Sequence, residues 1–498
     1  MSEVAFVRTE MLPEQAPPAS TVGPVGWARE NLFSGVFNSV LTIASMFAIY
    51  YVLASILPWV FSPTWSSGSL NQCREVLSAA GSVGEHGTSG ACWGVIRERW
   101  IQLMFGFYPS DQYIRPILAF LLLFVALIPV LFNMISRRMN WFLLALVIFG
   151  ATLAFSGGIV VWVLRIVAGL GVAVLAYTLF STSKADRADQ LAQGAKRLPN
   201  PLMFTLIYPF LFPWLLWGGS IWGPLSVMAG FVVGFMAFHF SEERYSSLIG
   251  LIGGVVAALV WWLFLGSPVA EALDSVLPIG LEPVRSRLFG GFMLSIIIGV
   301  VAIACSLPLG VVLALGRQSD LLIVKYLCVG FIEFIRGVPL ITLLFVASTL
   351  LNIFMPPGTN FDIILRVLIM VTLFAAAYMA EVVRGGLAAL PTGQYEGADS
   401  LGLNYWQSQR LIIMPQALKI SIPGIVSTFI GVFKDTTLVS IIGLLDPLGL
   451  SNAIRADSNW NGVVWELYGF IALLFFVFCF SMSRYSMYLE RKLQTGHK

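Results

Sequence analysis

Charged residues are scarce in this sequence. Only 11% of its 498 residues are Asp, Glu, Lys or Arg, and 58% are hydrophobic. A soluble globular protein carries roughly a quarter charged residues, so this composition excludes one. Apolar runs of about eighteen or more residues recur along the chain, and each is long enough to cross a hydrocarbon core about 30 Å thick. We therefore predict an all-α polytopic membrane protein.

The motifs of several common chemistries are also missing. No Gly-x-x-x-x-Gly-Lys-[Ser/Thr] phosphate loop occurs, so the chain has no visible means of hydrolysing ATP on that pattern. His86, His239 and His497 lie far apart, without metal-ligand spacing or a His-Glu-x-x-His motif. No basic patch interleaved with aromatic residues supports nucleic-acid binding. We expect no enzymatic activity, no cofactor, no bound metal and no nucleic-acid partner.

Apolar segments of about twenty residues predict roughly twelve spanning helices. The third and the fifth are the shortest. In chain order, the predicted spans are 33–57, 116–135, 141–155, 159–180, 203–217, 221–240, 248–265, 288–315, 338–354, 363–383, 420–442 and 463–480.

Basic connections between the spans predict the orientation. Lys and Arg concentrate in the connections 136–138, 183–197 and 316–325 and in the tail 484–498. With an even number of helices these segments share one face, which the positive-inside rule makes cytoplasmic. The loop at about 63–115 then lies outside although it carries arginines, because long loops translocate largely regardless of charge.

The spans also divide the chain into domains. Residues 1–30 lack the apolar core of a cleavable signal peptide, and their composition predicts a disordered cytoplasmic tail. The remaining divisions are 31–158 with the first spans and the large outer loop, 159–266 with additional spans, 285–485 with the last five spans and a cytoplasmic loop at 384–423, and a cytoplasmic tail at 486–498.

Two of the five cysteines share the outer loop. This topology places Cys73 and Cys92 in an oxidising compartment. Their separation of 19 residues is an ordinary loop for a disulfide to close. We predict that they are bonded to each other, with two free thiols as the alternative.

Ionisable residues inside the predicted spans are few, and each needs a partner, an aqueous cavity or an interface. For Arg165 and His239 we favour a side chain near a helix end that reaches toward the headgroups. Lys434 and Asp435, followed by two threonines, form a polar cluster in an otherwise apolar span. This cluster either faces a transport pathway or forms a structural salt bridge between helices.

The segment between the tenth and eleventh predicted spans is polar and contains helix-breaking residues. Pro391 and Gly393 interrupt the preceding structure, and residues 394–401 fit about two helical turns. Gly402 is placed for the left-handed position that ends a helix. Residues 406–413 predict a second helix that stops before Pro415. On spacing alone, an ordinary surface loop remains an alternative.

This segment resembles the cytoplasmic EAA loop of the permeases of ATP-binding-cassette (ABC) importers. The family pattern is Glu-Ala-Ala, then Gly, then Ile-x-Leu-Pro, and here Gly397 replaces an alanine and Met414 replaces the leucine. The resemblance implies a loop that couples the permease to an ATPase. The matching positions are Glu396, Gly397, Ala398, Gly402, Ile412, Met414 and Pro415.

Flanking phrases are similar to the polar amino-acid branch of these permeases and cover the last five spans. They are Phe-Ile-Arg-Gly-Val-Pro-Leu at 334–340, Ala-Tyr-Met-Ala-Glu-Val-Val-Arg-Gly-Gly at 377–386, Pro-Gln-Ala at 415–417 and Phe-Lys-Asp-Thr-Thr-Leu at 433–438. The phrases at 89–93 and 482–485 further resemble the M-type permease of general L-amino-acid importers of Gram-negative bacteria. The chain departs from that pattern by about four additional helices, at about 159–265.

The resemblance implies a C-terminal five-helix ABC importer permease core in a multi-pass protein of the cell inner membrane. Its function would be the import of amino acids, broad-range polar L-amino acids among them. The implied partners are a separate ATP-binding subunit, a second homologous permease, a periplasmic amino-acid-binding protein, the amino-acid substrate and membrane lipid. Candidate residues of the translocation pathway are Lys434, Asp435, Thr436, Thr437, Tyr378 and Glu381.

The rival hypothesis is a secondary active transporter of small solutes, because about twelve helices with internal repeats is a common plan for those. The two halves of this chain show no convincing similarity, and an ion-driven carrier needs no loop that docks an ATPase. A channel or a membrane anchor without a transport role is a further alternative.

Overall fold

A computed structural model of the chain describes residues 23–79, 83–84, 87–88, 90–132, 135–154, 159–180, 199–350, 353 and 361–493. These residues are overwhelmingly helical, as the composition predicts. The chain separates into two compact units. The first comprises Met1–Glu98 with Asp457–Leu467, and the second comprises Arg99–Ala456 with Tyr468–Lys498.

The first unit contains one long apolar helix and most of the outer loop. Its elements are α1 (Gly23–Asn31), α2 (Val36–Val60), α3 (Leu70–Ala79), the antiparallel pair β1 (Val83–Gly84) and β2 (Gly87–Thr88), and the start of α4 (Gly94–Phe105). Residues 23–30, part of the segment predicted to be a disordered tail, form most of α1. Pro24 occupies the first turn, where its missing N–H costs nothing. Residues 1–22 lie outside the described part.

The outer loop is a folded structure. The Trp93 indole donates a hydrogen bond to the Val60 carbonyl at 2.6 Å, and its ring stacks on Trp65. Cys73 and Cys92 are joined by a disulfide, and both are buried. The Cys92 amide donates to the Glu466 carboxylate at 2.8 Å, so the disulfide lies beside the segment 457–467. The loop therefore has a covalently closed core of its own.

The first half of the second unit contains the additional helices. Its elements are α5 (Ile114–Leu131), α6 (Arg137–Ala154), α7 (Ile159–Phe180), α8 (Leu202–Trp217), β3 (Gly219–Ser220), α9 (Trp222–Arg244), α10 (Ser247–Val260), a π turn (Trp261–Leu265), α11 (Gly266–Val276) and β4 (Gly280–Leu281). Strands β3 and β4 pair antiparallel. They close α9, α10 and α11 into one helical hairpin.

The second half of the unit is the predicted core. Its elements are α12 (Gly291–Arg317), α13 (Leu322–Gly337), α14 (Leu340–Phe345), a π turn (Val346–Leu350), α15 (Ile363–Ala388), α16 (Gly393–Ser400), α17 (Tyr405–Ser408), a π turn (Gln409–Ile413), α18 (Met414–Asp435), a 3-10 helix (Thr436–Ile442), α19 (Pro447–Arg455) and α20 (Trp465–Leu493). Helix α15 lies against α12 and α18 and is the most buried of the long apolar helices.

Every predicted span coincides with a helix of the structure. Within the described residues, eight helices are long and apolar enough to cross a membrane, and a bent pair makes nine. That pair is α13 with the apolar stretch after it, bent by 101°. The sequence predicts only the second arm, at 338–354, because Lys325, Glu333 and Arg336 interrupt the apolar pattern of α13.

Two predicted divisions differ from the helix bounds. Helix α20 continues to Leu493, so the tail predicted at 486–498 is helical for most of its length, and only 494–498 lie outside the described residues. The loop predicted at 384–423 is shorter, because its first residues belong to α15 and those from Met414 onward belong to α18.

At the outer end of the second unit, buried polar groups join α8 to the rest. The Arg115 side chain, 4% exposed, donates to the carbonyls of Leu215 and Glu282 at 2.8 Å each. The Tyr108 hydroxyl donates to the Leu216 carbonyl at 2.8 Å. Burial raises the pKa of Tyr108 to about 12. We call these contacts, with the adjoining pairing of Gly290 with Leu445, the outer junction.

Candidate functional site

The loop between α15 and α18 contains the short helix α16, where the sequence predicts it. Gly402 follows this helix with φ +69°, the left-handed conformation predicted for it. The Gly402 amide donates to the Asp399 carbonyl and the Leu403 amide donates to the Ala398 carbonyl. These two bonds make a complete Schellman termination. They fix the direction in which the chain leaves α16.

The next helix, α17, begins with a capping box. The Asn404 side chain accepts from the Gln407 amide at 2.9 Å, and the Gln407 side chain accepts from the Asn404 amide at 3.0 Å. The predicted stop before Pro415 is wrong, because α17 continues through a π turn into α18. In this turn the Met414 amide donates to the Gln409 carbonyl, five residues back. The wider turn accommodates the proline that an α-helix would exclude.

One side of this loop is exposed and the other is buried. Ala398 is fully buried, and Gln394 accepts a hydrogen bond at 2.8 Å from the Gln416 side chain of α18. The Glu396 carboxylate is exposed, and several large apolar side chains of the same loop are exposed as well. We call the following set the docking face: Glu396, Leu401, Tyr405, Trp406 and Leu411. Large apolar side chains grouped with a carboxylate at the surface are typical of a protein-binding site.

Beneath the docking face lies a cluster of buried apolar side chains from four helices. We call it the inner apolar cluster, and it consists of Ala314, Ile332, Met379, Ala380, Val383, Leu387, Leu390, Ile413, Ala417 and Ile425. Tyr395 of α16 packs against it. The packing of α15 on α18 is close here, since a Cβ at Gly386 would lie 2.5 Å from the Ala417 carbonyl. The loop thus rests on tightly packed helices.

The polar cluster at 434–437 divides in the structure. Lys434 and Thr437 line an open surface depression of about 300 Å³ formed by α18, α19 and α20, and Tyr468 lines it from α20; we call this depression the Lys434 cavity. Asp435 does not line this cavity. Thr436 is fully buried and donates to the Phe433 carbonyl, so it faces the protein interior. Of the four residues, the structure brings only two to the cavity.

The cavity contains an oriented hydroxyl. Arg455 donates from Nη1 to the Tyr468 hydroxyl oxygen at 3.0 Å. Because that oxygen accepts from the guanidinium, the hydroxyl proton is available to another acceptor. Lys434 forms no salt bridge within the described residues. Sequence reasoning missed Tyr468 and Arg455, because a tyrosine and an arginine near helix ends carry no distinguishing pattern.

The other two pathway candidates lie on α15, in a different place. The Glu381 carboxylate contacts Arg317 of α12, Arg336 of α13 and Arg384 of its own helix. The Arg336 guanidinium lies 5.7 Å from the centre of the Tyr378 ring. Within the described residues, no hydrogen bond or ion pair joins this group to Lys434 or Thr437.

A model of the binding-protein-dependent transport system inner membrane component family matches residues 306–495. The chain is 51% identical to the glutamate/glutamine/aspartate/asparagine transport system permease protein BztC of Rhodobacter capsulatus, over 100% of both chains. It belongs to the amino-acid ABC transporter permeases. It is also 36% identical to the inner membrane amino-acid ABC transporter permease protein YhdY of Escherichia coli, over 94% of this chain and 93% of that one.

This membership makes the chain a multi-pass inner-membrane permease rather than an enzyme. A solved structure of an amino acid ABC transporter with histidines covers 40% of the permease, and the permease covers 90% of that chain, at 29% identity and a TM-score of 0.36. The alignment with BztC runs through residues 159–266. The departure of these helices from the M-type pattern stays a prediction.

Proposed function

We propose that this permease imports amino acids with acidic or amide side chains, among other polar amino acids, using ATP hydrolysed by a separate subunit. The observation that carries the proposal is the docking face, which lies on a terminated helix above a rigid apolar cluster. Whole-length similarity to BztC supports the substrate class. A second homologous permease and a periplasmic amino-acid-binding protein complete the proposed complex, in membrane lipid.

The docking face is the proposed contact with the ATP-binding subunit. Leu401 and Trp406 are each more than 70% exposed, and burial of such side chains at a partner contributes about 1.5–3 kcal/mol each. Within the described residues Glu396 has no salt-bridge partner, so its carboxylate is free to pair with a cation of the ATPase. The coupling positions are then Glu396, Gly397, Ala398, Gly402, Met414 and Pro415.

The Lys434 cavity is the proposed station for substrate on the translocation pathway. An ammonium without an ion-pair partner is costly within a span unless it faces water or an interface. A cavity of about 300 Å³ is at the lower end of the range for small-molecule sites. Lys434 and the Tyr468 hydroxyl are suited to a carboxylate, which every amino acid has. Asp435 is the proposed partner of the substrate ammonium in another conformation.

A reconstituted complex tests the coupling contact. The permease, its ATPase and its binding protein are placed in liposomes, and glutamate uptake is measured beside stimulated ATP hydrolysis. Glu396→Lys should abolish both while the protein stays in the membrane, because it reverses the charge in the first turn of α16 and at the docking face. The matched control is Glu243→Lys, the same charge change at an exposed position of α9. Equal uptake by both variants would contradict the docking role.

The same liposomes test the substrate station. Lys434→Met should raise the KM for glutamate and for glutamine alike, because both substrates carry the α-carboxylate that Lys434 would bind, and Lys434→Arg should restore most of the affinity. Arg410→Met is the control for loss of an exposed cation. An unchanged KM in Lys434→Met would remove the cavity from the pathway and leave the docking proposal standing.

A further inference from the structure

Glu381 lies at the centre of a group of charges that ties three helices together. Its carboxylate accepts from Arg317 Nη1 at 2.5 Å and from Arg384 Nε at 3.0 Å, and it lies 3.7 Å from Arg336 Nη1. Arg317 also pairs with Glu333 at 3.1 Å. We call these five residues the inner ion cluster. Three guanidinium groups therefore surround two carboxylates, and Glu381 is the less exposed of the two.

The positions of the arginines matter more than their number. Arg317 is the last residue of α12, and Arg336 lies in the last turn of α13. The 101° bend between the arms of the bent pair follows Arg336 directly. Arg384, by contrast, is on the same helix as Glu381, three residues along. Glu381 thus fixes two helix ends to α15, and one of them is the arm that leads into the bend.

Helix α15 also leads to the docking face. It ends at Ala388, and α16 begins five residues later at Gly393. Leu390, in the connection, is buried in the inner apolar cluster together with Ile332 of α13. A displacement of α16 by a bound ATPase therefore acts on α15 within about two turns of Glu381.

We infer that Glu381 is a positioning residue that transmits movement of the docking loop to the bend between α13 and α14, rather than a residue that contacts substrate. The inference rests on the proposed function. The Glu381 carboxylate accepts a hydrogen bond at each of its two oxygens, and three arginines compensate its charge. Without this charge, Arg317, Arg336 and Arg384 would repel one another around Glu333 alone, and α13 would no longer follow α15.

The decisive measurement is the number of amino acids transported per ATP in the reconstituted complex. Glu381→Gln keeps the size of the side chain and removes its charge. It should lower this ratio about tenfold, which is a typical coupling between two sites. The KM for glutamate and the KM for glutamine should both stay at their wild-type values. Glu381→Asp should recover part of the ratio. Arg287→Gln is the control and should stay near wild type, because this exposed arginine lies outside the inner ion cluster.

A double-mutant cycle locates the effect. Arg336→Gln should lower the ratio as Glu381→Gln does, and the double variant should be no worse than either, because both changes break the same contact. A charge-selective change, in which KM shifts in opposite directions for glutamate and glutamine, would overturn the inference in favour of substrate contact. So would a wild-type ratio in Glu381→Gln. If wild-type complex shows no ATP-dependent uptake, the proposed function itself fails.

Discussion

The outer junction and the inner ion cluster, which lies at what we call the inner end of the second unit, are held together by different kinds of bond. At the outer junction, Arg115 and Tyr108 are buried and donate to backbone carbonyls. At the inner end, the inner ion cluster joins side chain to side chain, with side chains 16% to 55% exposed. At the outer junction the acceptors are backbone carbonyls, which are held in place by the fold. In the inner ion cluster both partners of every contact are flexible side chains.

This difference indicates which end can change shape. A buried cation that leaves carbonyl acceptors would lose hydrogen bonds without water to replace them, and that cost keeps the outer junction closed. Ion pairs near the surface are weak and exchange partners readily. The inner end also offers an apolar surface to a partner, and the outer junction is internal to the chain. Movement is therefore expected at the inner end, with the outer junction as its fixed support.

The larger of two deletions gives the largest expected effect, and the smaller one is its control. Removing residues 159–265 takes away α8 and with it the carbonyl acceptors of Arg115 and Tyr108. We expect that variant not to assemble. Removing residues 222–276 takes away two spans, preserves orientation, and joins Ile221 to Leu277. The amide of Ile221 already donates to Ile279 at 3.0 Å, so the new connection is a short turn. This variant should insert and transport.

Co-purification with the second permease and uptake in liposomes measure both outcomes. Assembly of the 159–265 deletion would show that the outer junction is dispensable. Failure of the 222–276 deletion alone would show that the helical hairpin is part of the core rather than attached to it.

Loss of the Arg115 side chain should have the next largest effect. Arg115→Ala leaves buried carbonyls without donors, and each buried acceptor left unsatisfied costs about 1–3 kcal/mol. The thermal stability of the detergent-purified permease should fall sharply. Arg287→Ala removes an arginine that is exposed, and it should change stability by no more than about 0.5 kcal/mol. Similar losses in the two variants would contradict a special role for the outer junction.

At the inner end, Gly402→Val should reduce transport without a comparable loss of stability. A branched side chain is strained at φ +69°, at a cost of about 1–3 kcal/mol, and the Schellman bonds that direct the chain would loosen. Gly330→Ala is the matched control, because this glycine of α13 is helical with open space around its Cβ position and lies outside the docking loop. Uptake in liposomes should separate the two variants. Equal uptake would show that the exit from α16 need not be fixed.

The smallest effect concerns Asp446, which is fully buried at the outer junction and caps α19 by accepting from the amides of Leu448 and Gly449. Burial raises its pKa to about 6. The folded state then binds a proton more tightly than the unfolded chain, so stability through this group increases as pH falls through 6. Asp446→Asn keeps one capping oxygen and should lack this dependence. The melting temperatures of the wild-type permease and of Asp446→Asn, each measured at pH 5 and at pH 7, test this prediction.

Much of the fold could be predicted from the sequence, because a spanning helix needs only length and hydropathy. The bent pair could not. Its first arm carries Lys325, Glu333 and Arg336, and two of those charges are compensated by α12 and α15, which are distant in the sequence. The continuation of α17 through Pro415 was missed for a similar reason, since a π turn has no sequence signal.

For the site, spacing and resemblance located α16 and Gly402, because helix termination is local. They could not predict which of the pathway candidates lie together and which lie apart. Lys434 and Asp435 are neighbours with opposite charge, and only the packing of α18 against α19 and α20 places Lys434 at a cavity. Glu381 was a pathway candidate by its family phrase, and its arginine partners became visible only when the helices were assembled.

The β3–β4 pairing has a practical consequence. The polypeptide enters and leaves the segment of α9, α10 and α11 through two paired strands, Gly219–Ser220 and Gly280–Leu281. The segment between them is joined to the rest of the chain through these two strands, and it also packs on α8 through the rings of Phe231 and Phe210. A reporter protein, an affinity tag or a substitute pair of spanning helices inserted between these two strands should leave the remainder of the permease undisturbed.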